Sequence, residues 1–533
     1  MHRSDCTPFS IRIVSTSLRD SGDFMSPMHS KRAGARRPPV GRHRGGRALY
    51  LATACVLAGV IASDASAIWP FDDLFRRPSL EERATRLLSE AIRTPTVNPP
   101  GNEKALARKL AAELGRAGIK NKVVETPSPD GGPPRAAVWG RLRGHGNRPA
   151  LVLLSHLDTV PAVASEWSVD PFSGQIGQGF VWGRGALDAK GATVAHLMTL
   201  IELADSEERL ERDVIFLATP DEETGGQLGA GWIAKNRPEL VEGAGFLLTE
   251  GGGIRPASGP DQGMPALWGI SLTEKAPCWL ELRSHGRAGH SSTPTPDASV
   301  PRLIAALDRI RRAEAPVRVT DEVAQMFAAM SPFAPEWDRA GFADLANTLV
   351  HDGAFRRRFL DNPAQNALVR NTVSITVLEG APKTNIAPGL ARAQLDARLL
   401  PGESCEAFAA SIADLIDESA VEIEIILSFP ARASSTDSAL YRAIAQVAAN
   451  QPEPALVVPR MIGGFTDAHW FRELGIVSYG FVPRSVAPED ARRVHGIDER
   501  IRVETLVESI ELNVEIIRAL DVIDVIDAPG SAN

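Results

Sequence analysis

From about residue 80 onward, short unbroken apolar runs alternate with segments whose apolar positions recur at helical spacing. Leu151–Leu154, Val214–Ala218 and Phe246–Thr249 are bounded by turn residues and read as strands buried on both faces of a parallel sheet. Ser79-Leu-Glu-Glu82 is a capping box that predicts a helix to about Arg93. A second helix is expected from about Asn102 to Gly118, and a third after Lys190. This alternation predicts an α/β fold, a wound and mostly parallel sheet with helices on both faces. Around residue 276 the pattern changes. Trp279–Arg283, Thr372–Val377 and Ala391–Arg398 alternate as half-exposed antiparallel strands do, and Val300–Arg312 reads as an amphipathic helix. The wound pattern is expected to resume after Pro401-Gly402, with a helix over Ser404–Ile416. The simplest account is a larger domain in two parts, residues 68–275 and 399–533, interrupted by a smaller α+β domain at 276–398. In the last helix, about Val503 to Leu520, Leu506, Ile510, Val514 and Ile517 form a core stripe.

The chain has 533 residues, too many for one ordinary core. Its first 67 residues differ in kind. A basic stretch from Lys31 to Arg47 precedes the apolar segment Leu49–Ala62 and the small-x-small sequence Ala65-Ser66-Ala67. That is the layout of a secretory signal peptide, its apolar part shorter than the ~20 residues a membrane span needs. An exported protein is expected, with an uncleaved membrane anchor as the alternative. Cleavage there shifts the net charge from −8 to −14. So acidic a body argues against nucleic acid as a partner. Two cysteines, Cys278 and Cys405, remain in the mature chain, and nothing in the sequence decides whether they pair.

Candidate chemistry sits just past the apolar runs. His156 follows Ala150–Ser155, Asp188 lies in the glycine-rich turn Gly183–Gly191, and Glu222-Glu223 follow the Val214 run. Glu250 follows Phe246–Thr249, and His495 comes after Ile476–Pro483. In open α/β sheets the ligand crevice lies beyond the carboxyl ends of such strands. Imidazoles and carboxylates delivered there suit a zinc-type site. In His156-Leu-Asp158, alternate residues share a side, so Asp158 can accept the second ring N–H of His156. Two adjacent buried glutamates repel unless a cation intervenes. With one, a carboxylate binds metal while its neighbour takes a proton from water. A solvated acidic loop that includes Asp221 is the rival reading. The turn around Asp188 matches neither nucleotide-binding glycine pattern, and a phosphate cradle is excluded. His196 reads as a packing residue, and His145 and His351 as loop residues.

Together these motifs resemble the co-catalytic zinc metallopeptidase family of carboxypeptidase G, aminoacylase, acetylornithine deacetylase and succinyl-diaminopimelate desuccinylase, from about residue 80 to 520. The segments Asn362–Asn371, Ala381–Pro388 and Pro488–Gly496, and the long stretch 315–365, look like the branch of carboxypeptidase S and N-fatty-acyl-amino-acid hydrolase.

The resemblance implies two Zn²⁺ per subunit, with Co²⁺ or Mn²⁺ able to fit the same ligands. His156, Asp188 and Glu250 would hold one ion, and Asp188, Glu223 and His495 the other, with Asp188 bridging. Asp158 would orient His156, and Glu222 would be the general base. His290, in Gly286-Arg-Ala-Gly-His-Ser-Ser, would contact substrate, in dimeric members across the subunit boundary. Asn385 and Arg398 would hold the free carboxylate of a small-molecule or short-peptide substrate. The inserted domain would act as lid and possible homodimer contact. Phe465 and His469 depart from the branch, which usually carries a polar residue and an arginine there. The implied activity is hydrolysis of an amide or peptide bond next to a free carboxylate. The alternatives are a deacetylase-like hydrolase of small polar N-acyl substrates and an inactive ligand-binding relative.

Overall fold

The computed structural model describes residues 12–13, 78–206, 208–257 and 264–526, so the basic run, the apolar segment and the Ala65–Ala67 sequence lie outside the described residues. Thirteen strands, with the two-residue strand Arg12–Ile13 besides, build its two main sheets. They are β1 (Lys120–Thr126), β2 (Arg135–Leu142), β3 (Arg148–His156), β4 (Arg212–Thr219), β5 (Ala244–Thr249), β6 (Gly253–Arg255), β7 (Leu267–Glu274), β8 (Ala276–His285), β9 (Thr372–Glu379), β10 (Leu390–Leu399), β11 (Val421–Ser428), β12 (Leu456–Ile462) and β13 (Val477–Gly480).

The larger sheet runs β12-β7-β13-β5-β3-β4-β2-β1, with β6 attached to β7. Its centre, β4-β3-β5-β13, is parallel. The unbroken apolar runs have the expected cause, because both faces are covered. Leu151, Leu153, Val214 and Phe216 join a core with helices Leu80–Ile92, Lys190–Asp205, Ala439–Ala449 and Val503–Ile526. Val152, Leu154, Ile215 and Leu217, one position along, pack on the opposite face with Ile233 and Phe471. Such period-two partition is what a two-faced sheet demands. The Ser79 capping box is present in both directions, Ser79 Oγ accepting from the Glu82 N–H and Glu82 accepting from the Ser79 N–H. His196 is buried on its helix, where burial lowers its pKa to about 3. His351 ends the helix Leu345–His351 and is not a loop residue, because its segment coils into the helical stretch described below.

The smaller sheet runs β11-β8-β10-β9, all antiparallel, with Arg12–Ile13 beside β11. Helices Ser299–Arg312 and Cys405–Ile416 cover one face and share its core. Here the structure differs from the expected return to the wound pattern at Pro401-Gly402. The helix Cys405–Ile416 packs through Ala409, Ile412 and Ile416 against this lid sheet, and β11 belongs to it. An amphipathic helix reads alike over either sheet, so the sequence pattern could not separate the two. Cys278 on β8 and Cys405 at the start of that helix form a disulfide.

The stretch between Asp321 and Leu368 is helical, and its core of Val323, Phe327, Phe355 and Phe359 includes Leu267 from β7 and Val458 and Met461 from the edge strand β12 of the large sheet. Lys275, between β7 and β8, is fully buried, and its ammonium donates to Ala367 O (3.1 Å), Arg370 O (2.8 Å) and Thr372 Oγ1 (3.0 Å). Among the described residues no helix is long and apolar enough to cross a membrane.

Candidate metal centre

The parallel centre of the sheet delivers its chain ends to one place. His156 ends β3, the turn after β4 carries Glu222 and Glu223, Glu250 follows β5, and the loop after β13 leads to His495. Asp188 reaches the same crevice from the turn before helix Lys190–Asp205. His156 Nε2 lies 3.0 Å from Asp188 Oδ1 and 3.5 Å from Glu250 Oε2. His495 Nε2 lies 3.1 Å from Asp188 Oδ2 and 3.2 Å from Glu223 Oε2. Asp188 therefore offers one oxygen to each imidazole, the disposition of a bridging carboxylate.

The donor set fits a cation pair. Two atoms bound tetrahedrally to one zinc at ~2.0–2.1 Å stand roughly 3.3 Å apart. The observed separations, 3.0 to 3.5 Å, bracket that value. Glu223 Oε1 is buried with no hydrogen-bond partner among the described residues, a costly state that a cation would relieve. Two triads bring their donor atoms within 4.8 Å of one another, His156–Asp188–Glu223 and His156–Glu222–Glu250. Both contain His156, so proximity alone gives a different partition from the expected one around Asp188.

Electrostatics agree. Burial opposes the charged form of His156, but Glu250, Asp158 and Asp188 outweigh it and hold its pKa well above the usual range. Hydrogen bonds that His495 donates to the carboxylates of Asp188 and Glu223 raise its pKa to about 10. Burial and the charge of Glu250 push Glu222 far up, and burial raises Glu223. Without a cation the cluster is held together by protons, which metal must displace. The solvated-loop reading of the acidic turn fails, since Asp221 and Glu222 are buried.

Asp158 is buried, but the nearer contact of His156 Nδ1 is the Asp158 backbone oxygen at 3.0 Å, with the carboxylate at 3.5 Å. The carboxylate instead accepts from the backbone N–H groups of Glu222 (3.2 Å) and Glu223 (3.1 Å) and from Asn98 Nδ2 (2.8 Å). It fixes the glutamate turn as much as the histidine, because the strand ends at His156, two residues before Asp158.

Several supports escaped the sequence reading. Asp221, with a left-handed φ of 81°, is locked by Arg135 Nη1 (2.8 Å) and the Leu228 N–H (2.7 Å), and Arg135 also pairs with buried Glu103 (2.8 Å). Glu499 accepts from the N–H groups of Leu187 (2.8 Å), Asp188 (3.0 Å) and Gly185 (3.1 Å), fixing the turn that carries Asp188. Only Glu499 had a signal, its place four residues after His495. Asp467 accepts from Thr219 Oγ1 at 2.7 Å, and burial raises its pKa.

The lid residues stand differently. His290 and Asn385 are both exposed and adjacent, with the Ser291 N–H donating to Asn385 O at 3.3 Å and Gly289–His290 pairing with Ile386–Ala387. Neither has a described contact with the cluster. Arg398, near the end of β10, is clasped by Asp396 at 2.7 and 3.1 Å and lies over the Phe465 ring at 4.9 Å. Its Nη1 is buried without a partner among the described residues. His469 stacks on Phe429 at 3.5 Å, and burial lowers its pKa well below the usual range.

With this geometry in hand, comparison with known proteins is specific. The profile of Peptidase family M20/M25/M40 matches residues 152–519. The chain is 29% identical to human N-fatty-acyl-amino acid synthase/hydrolase PM20D1 over 383 residues, 70% of this chain and 76% of that protein. It is 27% identical to probable carboxypeptidase S-like 2 of Dictyostelium discoideum over 376 residues, 69% of this chain and 71% of that protein. Its fold resembles the M20 family metallo-carboxypeptidase Sso-CP2 of Sulfolobus solfataricus, with a TM-score of 0.63, 20% identity and coverage of 82% of this chain and 99% of that one. The chain belongs to peptidase family M20/M25/M40 and is one of its hydrolases.

Proposed function

We propose that this hydrolase uses two divalent cations, zinc by preference, to cleave an amide bond beside a free carboxylate in an N-acyl amino acid or a short peptide. The observation that carries the reading is Asp188 standing between His156 and His495, with Glu250 and Glu223 closing either side. Ions bound there would supply Lewis acidity toward the scissile carbonyl and make a water acidic near neutral pH. His156, Asp188 and Glu250 would hold one, and Asp188, Glu223 and His495 the other.

The remaining work falls to protein groups. Glu222, buried beside the ligands, takes the proton from the attacking water and hands it to the leaving amine. Asp158, through the backbone N–H groups of Glu222 and Glu223, keeps that base aimed into the crevice. Arg398 and Asn385 receive the free carboxylate, the unpartnered Nη1 of Arg398 being the available donor. His290 stabilises the developing oxyanion, a contribution typically of ~3–4 kcal/mol. To do so it must come from a closing lid or from a second chain, which supports dimerisation through the lid. The Cys278–Cys405 disulfide supports an exported protein, since such bonds persist in oxidising compartments. Exhaustive chelation followed by zinc addition tests the reading. Hydrolysis of N-acyl amino acids should vanish and return, and indifference to chelator refutes it.

A further inference from the structure

Asp188 and His495 are the two candidate ligands that do not directly follow a strand of the large sheet. One lies in the turn before the helix Lys190–Asp205, the other on the stretch after the short helix Pro488–Ala491. His495 is 52% exposed, against 1% for His156. It holds a left-handed φ of 59°, and Asp498 one of 54°. Residues other than glycine keep that conformation only where their surroundings fix it. Here the surroundings are the turn of Asp188 itself.

The strand Arg500–Arg502 pairs with Phe180–Trp182, and the Gly183 N–H extends the pairing by donating to Glu499 O at 2.8 Å. The Glu499 carboxylate, 311 positions beyond Asp188, then fills the inside of the turn. Its Oε1 accepts from the Leu187 and Asp188 N–H groups, and its Oε2 from the Gly185 N–H (3.1 Å) and Arg184 Nη1 (2.7 Å). The other arm of the Arg184 guanidinium donates to Gly496 O, beside His495, at 2.8 Å. Arg184 is 3% exposed and Glu499 0%. The bonds therefore form out of water, where charge-assisted pairs are strong and a lost partner is costly. This buried pair fastens the Asp188 turn and the His495 stretch to each other.

We infer that Arg184 and Glu499 are positioning residues that set the affinity for the ion held by Asp188, Glu223 and His495, and far less that of the neighbouring ion. The inference rests on the two-cation reading above. On the His495 side, two of the three ligands depend on the clamp. On the other side only Asp188 does, since His156 ends β3 and Glu250 follows β5. Outer partners of metal ligands typically contribute 10–100-fold to metal affinity.

The test is calorimetric titration of zinc into the metal-free parent, Glu499→Gln and Arg184→Lys. The second variant is milder, keeping the buried cation but losing the planar fork that spans Glu499 and Gly496. Each should weaken one ion roughly 10–100-fold and leave the other nearly as in the parent. His495→Ala identifies the weakened ion, because it removes a ligand from one site alone. Adding Glu499→Gln to His495→Ala should cost the surviving ion little. Thermal unfolding of the metal-free variants checks that they fold, and if Glu499→Gln does not, Arg184→Lys decides. Parent affinities for both ions in the variants overturn the inference. So does an equal fall at both sites, which is what a merely structural pair would give, or a large further loss in the double variant. A parent that takes up fewer than two ions sinks the two-cation reading, and the inference with it. Two ions and a selective loss, with no hydrolysis of any N-acyl amino acid, would keep the clamp and sink the substrate reading.

Discussion

The candidate metal cluster and the lid residues proposed to meet substrate are equally conspicuous as motifs, yet the fold treats them in opposite ways. Around the cluster the turns that carry the candidate ligands are held by buried contacts. Asp188 is held by Glu499, Asp221 by Arg135 and Leu228, and the Glu222–Glu223 turn by Asp158. On the lid, His290 and Asn385 stand exposed on a two-residue pairing with only local contacts. The cluster is preorganised by one chain, as electrostatic catalysis in a dry crevice requires. In the role proposed for them, the lid residues would act only after an approach, whether by closure or from a second chain. Arg398 lies between these extremes, half-buried and already clasped by Asp396.

That contrast can be broken at several points. The largest loss is expected at the preorganised end, where Glu222→Gln should lower kcat roughly 10²–10⁴-fold while bound metal stays unchanged. Metal analysis alongside turnover checks it, and near-normal kcat removes Glu222 from its role. His290→Ala should come next, at about 10²–10³-fold in kcat. If His290 serves a partner's site, mixing it with Glu222→Gln and allowing exchange should restore up to about a quarter of the sites, because mixed dimers hold one intact combination. No recovery in a verified mixed dimer would place His290 in its own chain's site. Arg398→Ala should mainly raise KM, roughly 10–100-fold, for substrates with a free carboxylate and hardly at all for their amides. Equal losses on both contradict the assignment.

The smallest effect on chemistry should come from the lid core. Cys278→Ala with Cys405→Ala opens a crosslink spanning 127 residues, for which the chain-entropy model gives about 4–5 kcal/mol of stability. Thermal unfolding should fall while metal content at low temperature stays whole. Loss of metal in that variant would mean that the two regions are less independent than described.

Much of the site was legible because parallel strands place their ends together, so His156, Glu223 and Glu250 could be gathered from three apolar runs before any coordinates. Asp188 and His495 joined them from a glycine-rich turn and from the segment after the Ile476 run, but the sharing of ligands between two ions, with Asp188 bridging, came only from the family resemblance. The supporting residues were hidden for a physical reason. Arg135, Glu103 and Glu499 act through long-range buried pairs, 32 and 86 positions apart for Arg135, which leave no local pattern. The lid's true extent was hidden as well, because Cys405–Ile416 and β11 alternate identically whichever sheet they cover. Asp158 was expected to hold the His156 ring through its carboxylate, but the carboxylate is taken by the N–H groups of Glu222 and Glu223 on another strand's turn, and the nearer contact of the ring is the Asp158 backbone oxygen.

Metal uptake should also depend on pH. His495, raised to about 10 without metal, must give up its proton, so apparent affinity should climb between about pH 6 and 9. The most direct test of the central claim is metal stoichiometry in the mature protein and in Asp188→Ala at one pH. The account predicts two ions per chain, falling below one when the shared carboxylate is removed. An unchanged ion count in Asp188→Ala, or none in the parent protein after zinc loading, would contradict it.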